Sequence, residues 1–121
     1  MKNNEAEVVS NQGKTKNNFI IIIIYMNIIL KPSNKTDKKY MAIIDDKKTV
    51  HFGQAGASDM TQHKSEERKN KYHLRHKKNE NWNDPTTAGF YSRWITWNKP
   101  TITESIRDTN RRFKNINIKL R

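Results

Sequence analysis

Thr87-Ala88-Gly89-Phe90-Tyr91-Ser92-Arg93-Trp94-Ile95-Thr96-Trp97-Asn98-Lys99-Pro100 sets four aromatic rings in fourteen residues of a chain otherwise dominated by lysine, asparagine and charge. Phe90, Trp94 and Trp97 recur at i, i+4 and i+7, with Tyr91 and Ile95 on an adjoining row. A helix over 87–97 therefore presents a broad apolar face. In 121 residues of which 33% are apolar, that face is where a core must form. The rings read as core rather than as a base-stacking platform, because a domain this size has little else to fold around.

On the C-terminal side, Asn98-Lys99-Pro100 separates this helix from another, whose Thr101-Ile102-Thr103-Glu104 fits the S/T-x-x-E capping box. Ile102, Ile106, Thr109 and Phe113 recur at i, i+4, i+7 and i+11, which makes it amphipathic, with Arg107, Arg111, Arg112 and Lys114 outside. The tail alternates Ile116, Ile118 and Leu120 against polar residues, a period-2 pattern suited to an edge strand. On the N-terminal side, residues 79–85 break the chain, with Trp82 expected to fold back as a plug. Before them a helix is expected over 64–78, with Glu66 and Glu67 in its first turn and Lys77 and Lys78 in its last. Its apolar content is Tyr72 and Leu74, so it lies on the surface.

Further upstream, Asn27–Leu30, Tyr40–Ile44 and Thr49–Phe52 read as strands, the last two joined by Asp45-Asp46-Lys47-Lys48. Gly53 and Gly56 permit positive φ where the chain leaves the sheet, and Ser58, Asp59 and Thr61 suit a cap. The expected fold is α+β: a small antiparallel sheet of two to three strands followed by three helices packed around a Trp/Phe/Ile core. Phe19–Leu30 is an apolar run broken only by Asn27, shorter than the ~20 residues a membrane helix needs. Lys31-Pro32 stands where a small-residue cleavage site would be, so neither secretion nor a membrane is expected. Ile20–Ile24 favours a strand and is an aggregation hazard if exposed. Residues 1–25 carry only +1 of the net charge of +12, so they are expected to be a disordered or non-native extension, and the working domain is 26–121.

Twenty-four Lys and Arg against twelve Asp and Glu attract polyanions. Candidate phosphate contacts are Lys64, Arg68, Lys69, Lys71, Arg75, Lys77 and Lys78 on the first helix and Arg107, Arg111 and Arg112 on the third. No zinc-finger spacing, strand-borne RNP aromatics or helix-turn-helix pattern appears, so contacts to phosphate with little base readout are expected. A polar cluster of His51, Ser58, Asp59, His63, Tyr72, His76 and Arg93, together with Arg68 and Arg75, holds the residue types of acid/base chemistry. Ser58 and Asp59, at a sheet-to-helix junction, read first as turn and cap. No metal or other cofactor is expected: His73 and His76 are three apart, but they sit among Lys71, Arg75, Lys77 and Lys78, and no carboxylate pair completes a ligand set. The absence of cysteine excludes disulfides and thiol nucleophiles.

The series His51-Phe52-Gly53, Gly56, Ser58-Asp59, Thr61, His63, Glu67-Arg68-Lys69, Tyr72, Arg75-His76, Glu80-Asn81-Trp82, Thr87-Ala88-Gly89-Phe90, Ser92-Arg93-Trp94, Trp97-Asn98-Lys99-Pro100, Ser105-Ile106, Asp108 and Arg112-Phe113 resembles a family of small basic proteins of unknown function. That family is encoded by large nucleocytoplasmic double-stranded DNA viruses. The resemblance spans about 26–113, with Leu30-Lys31-Pro32-Ser33 and Lys38-Lys39-Tyr40-Met41 as its lead-in. Met60 and Tyr91 depart from its aromatic and tryptophan positions but keep bulk. It implies a viral setting, in the virion or the infected host's cytoplasm or nucleus, and no activity.

The expected function is therefore that of a small, basic, non-catalytic viral protein that binds nucleic acid or another polyanion. One alternative is a virion structural protein docking acidic viral proteins. Another is a small enzyme acting on nucleic acid, with His63 and Asp59 as acid and base. No small-molecule substrate is indicated.

Overall fold

Residues 6–11 and 19–121 are described by the computed structural model, with side chains from Tyr25 onward. The isoleucine run is strand β2 (Phe19–Ile24), paired antiparallel with β1 (Ala6–Asn11) in a two-stranded sheet of their own. Expectations for residues 1–5 and 12–18 fall outside the described residues.

The main sheet holds β3 (Met26–Pro32), β4 (Lys38–Ile44), β5 (Lys48–Gln54) and β6 (Ile116–Leu120), in the order β5-β4-β3-β6. The β3–β4–β5 meander is antiparallel, whereas β6 runs parallel to β3, from Met26↔Ile116 to Leu30↔Leu120. The sheet is thus four-stranded and mixed, not a two- to three-stranded antiparallel one. The reason lies in alternation: Ile28, Leu30, Ala42, Ile44, Val50, Phe52, Ile116 and Ile118 are all buried, so the tail completes one apolar face. A parallel partner needs a long crossover, which the helical segment between β5 and β6 supplies. At the β4–β5 turn Asp45 and Asp46 take φ of 51° and 58°, and Lys47 N donates to Ile44 O at 2.9 Å. As expected, Gly53 and Gly56 have positive φ.

Four α-helices follow rather than three. Asp59 opens α1 (Met60–His63) with a capping box: its carboxylate accepts from Thr61 N, and Gln62 Oε1 accepts from Asp59 N. Lys64, left-handed at φ 57°, ends that helix, and Ser65 caps α2 (Glu66–His76). The helix expected over 64–78 therefore starts at 66, because two caps in succession divide the segment. Its end tightens into a 3₁₀ turn over Lys77–Asn79.

The aromatic segment also departs from a regular helix. Thr87 caps α3 (Ala88–Tyr91), after which the chain widens into a π-turn over Ser92–Thr96, with Trp97 N donating to Ser92 O at 2.8 Å. Phe90, Tyr91, Trp94 and Ile95 fill the core against the sheet as expected. The wider turn advances less angle per residue, so Trp97 leaves their face and is only half-buried. Thr101 opens α4 (Ile102–Arg112), accepting from Glu104 N at 3.1 Å and donating its hydroxyl to Glu104 Oε1 at 2.9 Å. Glu104 thus takes the hydroxyl and completes only half of the expected box.

Candidate anion-binding cleft

A cleft of about 610 Å³ opens at the end of the sheet where β4 begins and β5 finishes, lined from the other side by α2 and the π-turn. Lys38, Lys39, Arg68 and Arg75 bring four cations to its wall, with the imidazoles of His51 and His76. Its two carboxylates are both engaged. Asp59, 4% exposed, accepts from Lys39 Nζ at 2.7 Å, Thr61 N at 2.9 Å and Thr61 Oγ at 2.6 Å. Glu80 pairs with His76 Nδ1 at 3.0 Å and accepts from Trp82 Nε1 at 2.9 Å. No carboxylate among the described residues pairs with Lys38, Arg68 or Arg75. His51 Nδ1 is held by Ser33 Oγ at 2.8 Å. Both cleft histidines thus have one ring nitrogen fixed by the protein and Nε2 left over.

A stack of rings forms the α2 wall. His76 lies on Tyr72 at 4.1 Å and Tyr72 on Trp97 at 4.4 Å and 6°, while His63 tilts against Trp97 at 5.3 Å. Burial, and then the charge of Glu80, pushes the Tyr72 hydroxyl up to about 12, so it stays neutral. His76 and Trp97 both stack on Tyr72, which makes the rings a wall and leaves no slot for a base on Tyr72. Trp97 reaches the stack because the π-turn rotates it there. Lys69 Nζ to Asn98 O (3.0 Å) and His73 Nε2 to Trp97 O (2.9 Å) fasten α2 to the same segment.

The residues singled out from sequence separate accordingly. Of the polar cluster, His51, Ser58, Asp59, Tyr72 and His76 line the cleft, and His63 and Arg93 do not. His63 accepts Ser65 N at Nδ1 (2.9 Å), and its ring shares no hydrogen bond with the Asp59 carboxylate. Burial, then the Arg68 charge, lowers its pKa, so the neutral ring carries its proton on Nε2. Arg93 lies on Trp94 at 4.0 Å and Trp82 at 5.3 Å, so Trp82 is not the expected core plug but half-buried against this guanidinium. Burial, then the charge of Arg112, lowers Arg93 to about 10.

Among the basic candidates, Arg68 and Arg75 reach the cleft, and Lys71, Lys77, Lys78 and Arg107 are exposed. The others make internal bonds: Lys64 to Thr61 O, Lys69 to Asn98 O, and Arg111 and Arg112 to Asp108 at 2.7 and 2.9 Å. Lys38, Lys39, Glu80 and Trp97 line the cleft without having been singled out as site residues. A lysine pair just ahead of an alternating strand was the available signal for the first two.

Residues 28–76 match the model of a family of unknown function (DUF5754). The match takes in the meander, α1 and α2, and with them Lys38, Lys39, His51, Asp59, Arg68 and Arg75. No curated protein and no solved structure matches the chain. Among the described residues no helix is long and apolar enough to cross a membrane, and no group of three or more His, Asp or Glu is placed to hold a metal.

Proposed function

We propose that this domain binds nucleic acid, or another phosphate polyanion, without catalysis, and that the cleft is the centre of its contact surface. The observation that carries this reading is the meeting of Lys38, Arg68 and Arg75, from a strand and a helix, around a cleft whose two carboxylates already have donors. Exposed Lys77 and Lys78, in the 3₁₀ turn that ends this helix, extend the positive field, whereas Lys71 pairs with Glu67 at 3.7 Å. Such groups contact phosphate and carry little base information. In the viral setting that the sequence resemblance implies, the ligand is a genome or transcript. An acid/base role for His63 and Asp59 has weaker support, since Asp59 is filled by three donors and the two side chains share no hydrogen bond.

Fluorescence anisotropy with single-stranded DNA, duplex DNA and RNA tests this. Three to four phosphate contacts give a log-log salt slope of about −2 to −4. Arg68→Ala with Arg75→Ala, both exposed and so compatible with folding, should weaken binding by about tenfold or more, while Lys119→Ala leaves it unchanged. Absence of binding at low salt, or equal binding by the double variant, contradicts the reading.

A further inference from the structure

We propose that the cleft recognises ends: it takes the terminal phosphomonoester of a nucleotide or nucleic-acid strand in preference to an internal phosphodiester. This rests on the cleft being the polyanion site and adds the chemistry of its ligand.

Charge matching points this way. Lys38, Lys39, Arg68 and Arg75 against Asp59 and Glu80 give the lining's lysines, arginines and carboxylates a sum of +2. An internal diester brings one negative charge, whereas a monoester carries about −1.5 to −2 near pH 7. The donor count agrees. Lys39 is already bound to Asp59 and Gln62, but Lys38, Arg68 and Arg75 have no acceptor among the described side chains, and His51 and His76 keep Nε2 uncommitted. A monoester presents three non-bridging oxygens to this surplus and a diester only two.

Shape adds a third reason. A recess of about 610 Å³ has the size of a small-ligand site, suited to a nucleotide or a strand terminus rather than to the side of a duplex. The ring wall offers no slot for a base on Tyr72, because His76 and Trp97 already stack on it. Affinity therefore resides in the phosphate, and the end is recognised whatever base it carries.

The test uses the full chain and three twelve-nucleotide DNA strands of one sequence, each with an internal dye: one with a 5′-phosphate, one with a 3′-phosphate and one with hydroxyls at both ends. At least one phosphorylated strand should bind about tenfold more tightly than the hydroxyl strand, and Arg68→Ala with Arg75→Ala should abolish that difference. Equal affinity for all three overturns end recognition and leaves polyanion binding standing. Failure of all three to bind overturns both. A nucleoside 5′-monophosphate added as competitor separates the sources: displacement of the phosphorylated strand near the strand's own concentration assigns the site to free nucleotides, and lack of displacement assigns it to strand ends.

Discussion

The side-chain amide of Asn98 donates to the carboxylate of Asp108 at 2.9 Å, with both residues buried, and the same amide nitrogen donates to Trp94 O at 3.0 Å. That pair joins the π-turn to α4. Thr109 Oγ also donates to Trp94 O, and Ser105 Oγ accepts from Lys99 N, so the peptide groups displaced by the wide turn find side-chain partners. Arg111 and Arg112 close on Asp108 from outside. Burial pushes its pKa up, but the bonds from Asn98 and Arg112, with the charges of Arg112 and Lys99, outweigh this and hold it at about 2.

Asp108→Asn keeps the shape and removes the charge, and should cost about 1–3 kcal/mol at pH 7 in urea denaturation. With a folded-state value near 2 below an ordinary value of 3.8, the carboxylate stabilises fully above about pH 4. Its contribution is lost as pH falls toward 2, so the gap between wild type and variant narrows over that window. A variant as stable as wild type at pH 7 contradicts this.

Acid should weaken the fold earlier through two histidines. Burial lowers both His63 and His73, reinforced by Arg68 and Arg93 respectively, so the folded state prefers them neutral. Their stabilisation is complete above about pH 6.5 and declines below it, by up to about 1.4 kcal/mol per pH unit for each ring. Melting temperature recorded from pH 7.5 to 5 should fall, and less steeply in His63→Asn, whose Oδ1 can still accept Ser65 N. A flat wild-type profile refutes the assignment.

Gly89 lies beneath the Glu80 side chain: a Cβ there would stand 3.0 Å from Cδ and Cγ and 3.1 Å from Cβ of Glu80. Helix propensity alone favours alanine over glycine by about 1 kcal/mol. Gly89→Ala should nevertheless lower stability by about 1 kcal/mol, and it should disturb the His76 contact to Glu80, visible as an imidazole chemical-shift change. A raised melting temperature would mean that Glu80 yields without loss.

Asn110 pairs with the open side of β6, its amide donating to Ile118 O at 3.0 Å and its oxygen accepting from Ile118 N at 2.8 Å. The side chain occupies the edge as another strand would. Asn110→Ala should cost about 1–2 kcal/mol and raise self-association in sedimentation experiments, because the freed groups can pair with a second chain. An equally stable, monodisperse variant counts against that role.

Much of this architecture is written locally. The meander, the positive φ of Gly53 and Gly56, the cap at Thr101 and the strand character of 116–120 all follow from neighbours a few residues apart, and periodicity exposes them. The basic excess is likewise a property of composition. Long-range partnerships are a different matter. Nothing near Ile116 announces a parallel seat beside β3, nothing near Ser92 announces a π-turn that swings Trp97 onto Tyr72, and the cations look alike along the chain. Lys69, Arg111 and Arg112 are consumed by Asn98 O and Asp108, whereas Lys38 joins Arg68 and Arg75 around one cleft. Local geometry repeats with sequence distance and so can be read from a string of residues, but a hydrogen-bond or charge partner is chosen by distance in space, which exists only once the sheet and helices have packed.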